Sequence, residues 1–328
     1  MKWLSDQALG RLRVAAEIPD LSGTSYVLLD KLGAGGMGGV FRVEDTALGR
    51  QVALKVIGVV DSSGEFGARL LREARIIAQL EHPGIVPVHD VGTLPDGRVF
   101  YTMKLVQGRR LDHYRDEIAS LPERLRIFQK ICDAVAFAHA HHVLHRDLKP
   151  QNVMVGKFGE VLVMDWGLAK FLRAEISAES KTPREIRPQP QPLSGNTHAP
   201  DTAHGAVLGT PGYMSPEQAG GNTAAVGPRA DVFSLGAVLG FLLEGSGRVP
   251  KALAAIASKA TAEDAQQRYG SVEELANDIA HYLDGLPVSA YPEGPLTRLW
   301  RWVVRNSAWI LLIVAYLVMR ALFILWRG

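Results

Sequence analysis

The sequence predicts an α+β chain of two lobes: a small β-rich lobe with one key helix, then a larger, mainly helical lobe, and after them one membrane-spanning helix. Three observations carry this. Short β-branched or apolar runs, separated by glycines and charges, crowd residues 26–106. From there to residue 286, apolar residues recur at three- to four-residue spacing. Finally, 308–326 is an apolar run with a single charge, Arg320.

Composition narrows the function classes. At 328 residues the chain is long enough to bury a real core. With 47% hydrophobic and 21% charged residues it is neither wholly disordered nor a coiled coil. Cys132 is the only cysteine, which excludes an internal disulfide and a Cys-based zinc site. Five arginines follow Glu293, where no acid occurs, so the rest of the chain is slightly acidic. A nucleic-acid-binding body is therefore not expected.

Residues 1–25 read as an N-terminal leader. Asp6, Gln7, Arg11 and Arg13 break its apolar content, so it lacks the core of a signal peptide. In the N-lobe, 26–106, strands are expected at 26–32, 40–43, 52–57, 86–91 and 99–106. Phe66, Leu70, Ala74 and Ile77 mark one face of the lobe's helix. In the C-lobe, 107–286, Leu125, Phe128, Cys132 and Val135 form a second stripe. Residues 232–243 are apolar nearly all round, as in a buried helix. Ser271 and Glu274 make a capping-box pattern ahead of Val272, Leu275, Ile279 and Leu283. Within this lobe, 174–206 holds Pro183, Pro188, Pro190, Pro192 and Pro200 and little apolar content, which predicts a flexible loop.

A basic linker, 287–307, precedes the predicted span. At about 1.5 Å per residue, 308–326 reaches about 28 Å, close to the roughly 30 Å hydrocarbon core. Trp300, Trp302, Trp309 and Trp326 sit near its ends, as interface anchors do. Arg298, Arg301 and Arg305 precede it, which places that side in the cytoplasm. The expected location is the cell membrane, single-pass, with both lobes cytoplasmic. The other readings of this stretch are a helix lying on the membrane surface or one buried in the domain.

The chemistry begins in the first hairpin. Gly33, Ala34, Gly35, Gly36 and Gly38 follow the first strand, where glycine lets backbone approach phosphates, and Val40 can cover a flat base. Alone this pattern is weak. A dinucleotide fold wants a helix next, whereas 40–43 reads as a strand. Lys55 ends a buried strand, where an ammonium is costly unless a phosphate or Glu73 pairs with it. The run His145-Arg146-Asp147-Leu148-Lys149-Pro150-Gln151-Asn152 packs a base candidate, two cations and an amide together. Asp165-Trp166-Gly167 follows a hydrophobic strand, so Asp165 and Asn152 could share a divalent metal through oxygen ligands.

In this order and at these spacings, the motifs resemble those of the bacterial, eukaryotic-like (Hanks-type) serine/threonine protein kinases over about 26–286. The resemblance implies the bilobal protein-kinase fold, ATP and Mg²⁺ (with Mn²⁺ as an alternative ion), and protein Ser/Thr substrates. Lys55 would grip the α- and β-phosphates and pair with Glu73. Asp147 would orient the acceptor hydroxyl and take its proton, and Lys149 would neutralise the moving phosphoryl group. Asn152 and Asp165 would hold the metal, while Ala53 and Met103 would border the adenine. Ser215-Pro216-Glu217 would end the activation segment, with Arg268 paired to Glu217 and Asp231 in a structural role. Thr210 would line the acceptor site.

The sequence departs from the family at Trp166, where Phe is usual, at Lys104, where an acid is common, and at Ser215, where Ala is usual. Arg146 beside Asp147 suggests control by phosphorylation of the long loop, with Ser194, Thr197 and Thr202 as candidates. The 243–259 stretch is too short for the helix the family uses there to dock substrates. Self-association for trans-autophosphorylation is a further expectation. The alternative function is a membrane-anchored pseudokinase that binds ATP or partners as a scaffold. The histidines at 139, 141, 142 and 145 are read as packing and loop-bonding groups, and Cys132 as a core residue.

Overall fold

Five short runs between Tyr26 and Lys104 carry alternating side chains, and in the computed structural model they pair into one antiparallel sheet. The structure describes residues 18–35, 38–57, 74, 78–166, 212–220, 226–245, 247–292, 294, 303 and 306–327. The strands are β1 (Tyr26–Gly35), β2 (Gly38–Asp45), β3 (Arg50–Ile57), β4 (Val88–Thr93) and β5 (Val99–Lys104), in the spatial order β1-β2-β3-β5-β4. Lys55 pairs with Val40 on one side and Tyr101 on the other, and Ala53 pairs with Met103. Opposed residues share a face and the side-chain period is two. Val40, Ala53, Lys55, Tyr101 and Met103 therefore stand on one face. The other face closes over its own small core of Phe41, Val43, Val52, Leu54, Val56 and Phe100.

Strand limits differ from the expected ones where pairing overrides local composition. β1 and β2 run on through the glycines, because Ala34 pairs with Gly39 and Gly35 with Gly38. β4 starts and ends two residues later than 86–91, since its register on β5 runs from Val88 to Thr93. β5 ends at Lys104 rather than 106. The predicted helix through Phe66, Leu70 and Ile77 lies outside the described residues, apart from Ala74, which is helical and buried. The leader up to residue 17 and the 174–206 loop also lie outside them.

The second lobe opens with β6 (Gly108–Arg110) and the single turn α1 (Leu111–Tyr114). The long α2 (Leu121–Ala140) starts at Ser120, whose hydroxyl accepts from the Glu123 N–H, with Pro122 in the first turn. It buries Leu125, Phe128, Ile131, Cys132 and Val135 completely. The hairpin β7 (Val153–Gly156) and β8 (Val161–Val163) follows, then α3 (Pro216–Ala219), α4 (Pro228–Leu243), α5 (Lys251–Ala260) and α6 (Val272–Leu283). α2 packs against α4 and α6, and α4 against α5. Gly236 permits the last contact: a Cβ there would stand 2.6 Å from the Ala260 Cβ. At the start of α6 the Ser271 hydroxyl accepts from the Glu274 N–H, but the Glu274 carboxylate reaches back to the Gly270 N–H, so the capping box is displaced by one residue.

Between α4 and α5 no helix forms among the described residues. The buried Arg124 donates to the carbonyls of Leu242 and Glu244, satisfying the end of α4. Arg115 lies over the Phe241 ring and bonds Glu244. The short connection is thus closed by the domain's own side chains.

The C-terminal stretch forms α7 (Ser307–Arg327). Among the described residues, no helix is long and apolar enough to cross a membrane. The structure therefore does not show the predicted span. It shows a helix whose Trp309, Leu311, Leu312, Ile313, Tyr316, Leu317 and Met319 are all more than half exposed.

Candidate active site

The loop after α2 owes its shape to one buried carboxylate. Asp231, in the first turn of α4, accepts hydrogen bonds from the backbone N–H groups of His145 and Arg146, both at 2.8 Å, and contacts His139 Nε2 at 2.8 Å. Burial alone would raise its pKa, but these donors outweigh it and hold the carboxyl below the usual range. The pull on successive N–H groups leaves Arg146 at φ 64°, a left-handed conformation costly for a residue with a side chain. His145 is fully buried. Its Nδ1 accepts from the Asp147 N–H, and its Nε2 lies 2.9 Å from the Met164 carbonyl. Only the neutral ring protonated at Nε2 satisfies both contacts, and burial lowers its pKa in the same sense.

That scaffold presents three polar groups together. Lys149 Nζ lies 3.1 Å from Asp147 Oδ2. The Asn152 side-chain amide donates to the Asp147 carbonyl at 2.7 Å and to Asp147 Oδ2 at 3.2 Å. The Asn152 carbonyl in turn accepts from the Met164 N–H at 2.8 Å, which sets Asn152 beside the chain leading into Asp165.

Asp165 follows β8 with φ 56°. The next residue anchors the turn: Trp166 is buried, donates from Nε1 to the Val163 carbonyl, and packs its ring 4.8 Å from His145. Across the cleft, Lys55 Nζ reaches Asp165 Oδ1 at 2.5 Å. Tyr101 is buried and pairs with Lys55 across the sheet, so its phenol acts electrostatically on both groups. Burial opposes the Lys55 charge, but Tyr101 and Asp165 more than offset it and raise its pKa. Burial pushes the Tyr101 phenol up to about 12, so it stays neutral.

The sequence-predicted residues thus fall into two neighbouring groups, Asp147 with Lys149 and Asn152, and Lys55 with Asp165. Ala53 and Met103 lie opposite each other on the Lys55 face, and Val40 lies beside Lys55. Gly33, Ala34, Gly35 and Gly38 form the tip of the β1–β2 hairpin, and a Cβ at Gly33 would touch nothing. Gly36, Glu73, Gly167 and Thr210 lie outside the described residues. Asn152 spends its amide N–H groups on Asp147, which leaves its amide oxygen as a ligand atom. With the Asp165 carboxylate this is a hard oxygen set, which fits Mg²⁺ or Mn²⁺.

Two residues were not singled out from sequence. Gln218 donates to the Arg146 carbonyl at 2.9 Å and accepts from the Ser215 N–H, tying α3 to the catalytic loop. Tyr101 stands opposite Lys55 in the sheet and is buried beside it. Its signal was legible: strand alternation puts 99, 101 and 103 on the Lys55 face, and a phenol there needs a partner.

Comparison with known proteins agrees with this geometry. A family model described as a protein kinase domain matches residues 26–282. The serine/threonine-protein kinase PknD of Protochlamydia amoebophila is 35% identical over 307 residues, covering 79% of this chain and 30% of that protein. PknD of Chlamydia muridarum is 36% identical over 301 residues, covering 79% and 32%. The chain thus spans about a third of the length of these curated relatives. Among solved structures, a Mycobacterium tuberculosis PknI kinase domain is similar at TM-score 0.57 and 24% identity, covering 80% of this chain and 96% of that one. A second structure of that domain gives 0.55 and 26%, covering 78% and 95%.

Proposed function

Since the chain belongs to the protein kinase domain family, we propose that it transfers the γ-phosphoryl group of ATP to serine and threonine hydroxyls of proteins. The observation that supports this best is the set of hydrogen bonds that gathers Asp147, Lys149 and Asn152 in one loop, one hairpin away from Asp165 and Lys55. In phosphoryl transfer the protein's work is positioning and charge stabilisation.

Asp147 orients the acceptor hydroxyl and takes its proton at Oδ1 or Oδ2, while Asn152 keeps that carboxylate from turning. Lys149 brings its ammonium to the negative charge on the group in transit. Lys55 binds the nucleotide phosphates. Asn152 and Asp165 hold the Mg²⁺, which when bound neutralises phosphate charge. The glycine hairpin, Val40, Ala53 and Met103 cover the nucleotide. In this reading Glu73 pairs with Lys55.

Transfer from labelled ATP to a serine-containing protein substrate tests this, with Asp147→Asn as the comparison. The variant should lose activity by about 10³-fold, in the range of a lost acid–base group. Equal rates in the two proteins would refute the assignment.

Membrane attachment is part of the proposal. The 308–326 stretch has one charge and, where described, exposes large apolar side chains on every side of α7. A helix that exposes apolar side chains along its length is better accommodated by lipid than by water. The preceding arginines favour a cytoplasmic placement of the catalytic lobes at the cell membrane. Copies concentrated there would phosphorylate one another, and in this reading Arg146, beside Asp147 in the sequence, pairs with a phosphate on the 174–206 loop. Flotation with lipid vesicles should carry the full chain upward. The double variant Ile313→Lys with Leu317→Lys should stay in the aqueous fractions. Flotation of both proteins alike, or of neither, would refute attachment through this stretch.

A further inference from the structure

One side chain of the short helix α3 bridges two backbone segments far apart in sequence. Gln218 is the third residue of that helix. On one side its Oε1 accepts from the Ser215 N–H at 3.3 Å and from the Ser215 hydroxyl at 3.1 Å. On the other, its Nε2 donates to the Arg146 carbonyl at 2.9 Å. A backbone N–H can only donate and a carbonyl can only accept, so the two ends of the amide are not interchangeable. A carboxylate of the same length could serve Ser215 but not Arg146, and a thioether could serve neither well. The bridge also accounts for a departure from the family. Ser215 is fully buried where Ala is usual, and its hydroxyl has Gln218 as its acceptor.

The Arg146 carbonyl belongs to the peptide group that leads into Asp147. The N–H of that same peptide donates to His145 Nδ1 at 3.3 Å. The peptide is thus gripped at both ends, by Gln218 and by His145, while Asp231 holds the N–H of the peptide before it at 2.8 Å. Arg146 lies at φ 64°, a conformation that persists only where its surroundings enforce it. Turning this peptide plane would change the backbone angles on both sides of it and swing the Asp147 side chain. The grip is anchored in turn, because Glu217, the neighbour of Gln218 on α3, is held by both ends of the Arg268 guanidinium.

We propose that Gln218 is a positioning residue that fixes the peptide ahead of Asp147 through the Arg146 carbonyl, and so sets the direction of the catalytic carboxylate. The inference rests on the role proposed above for Asp147. It makes α3 the element that couples the end of the activation segment to the base. A displacement of about 1 Å at a reacting group costs rate rather than binding. Lys55 and Asp165 take no part in the bridge, so nucleotide and metal binding do not depend on it.

The test compares Gln218→Glu and Gln218→Met with wild type in the full chain. Both variants lose the donor to Arg146, and only the first keeps a good acceptor for Ser215. Three quantities are read: kcat for phosphate transfer, Kd for Mg·ADP by calorimetry, and amide hydrogen exchange of peptides spanning 145–149. The expected result is kcat lowered about tenfold in both variants, the weight of one hydrogen bond left unmade, with Kd within about twofold of wild type. Exchange at 145–149 should be faster in both. Wild-type kcat in Gln218→Glu would overturn the proposal, because the donor would then be dispensable. So would a fall in kcat confined to either variant, or one matched by an equal weakening of Mg·ADP binding, since the effect would then be charge, the Ser215 contact or general loosening. If wild type transfers no phosphate, exchange decides. Faster exchange in both variants keeps the positioning role while the catalytic reading fails, and unchanged exchange removes both.

Discussion

At the scale of single residues, the site depends on groups that never meet a substrate. His145 is the clearest case. Its two ring nitrogens face a donor and an acceptor, the Asp147 N–H and the Met164 carbonyl, so the ring must be neutral for both bonds to exist. An unfolded histidine takes up a proton near pH 6.5, whereas burial moves the folded pKa below that value. In the window below 6.5 the unfolded state therefore binds more protons, and stability falls as pH falls. Chemical denaturation at about pH 7.5 and about pH 5.5 should show the lower stability at the lower pH. His145→Asn should reduce that slope. The same slope in both proteins would contradict the assignment. The motif around Asp147 and Asn152 was legible in sequence because its residue types are rare in such close order. Tyr101 was legible only as a strand-face position, because the Lys55 it faces lies 46 positions away in the sequence.

At the scale of elements, long-range ion pairing locks the second lobe. Arg268 precedes α6, is 4% exposed, and uses all five of its N–H groups. Two go to the Glu217 carboxylate at 2.8 and 2.9 Å, and three to the carbonyls of Ala262, Arg229 and Glu263. Glu217→Ala leaves that guanidinium buried without its counter-charge and should cost about 3 kcal/mol. Urea denaturation measures it, and a loss under about 1 kcal/mol would show the pair to be dispensable. Helices α2 and α6 could be read from their apolar periodicity, and α4 from a run that is apolar nearly all round. Strand ends could not. The extension of β1 and β2 through glycines is decided by cross-strand partners, which local composition does not encode.

At the scale of the whole molecule, two lobes place the two halves of the site on opposite walls. One wall is a sheet face carrying Lys55, Tyr101 and Met103, and the other is a loop hung from the core helix α4 by Asp231. The lobe order and the motif order were both readable from the chain. The closure of the 244–250 connection by Arg124 and Arg115 was not, because those arginines lie more than a hundred residues earlier. That closure lies apart from the hydrogen bonds by which Asp231 holds the catalytic loop.

Intact-mass spectrometry of the full chain after incubation with Mg²⁺ and ATP, beside Asp147→Asn, tests this most directly. The account predicts phosphate mass increments in wild type and none in the variant. A folded wild-type chain that binds ATP and gains no mass on itself or on a supplied protein substrate would contradict it, and would identify the molecule as a scaffold with the architecture of a kinase.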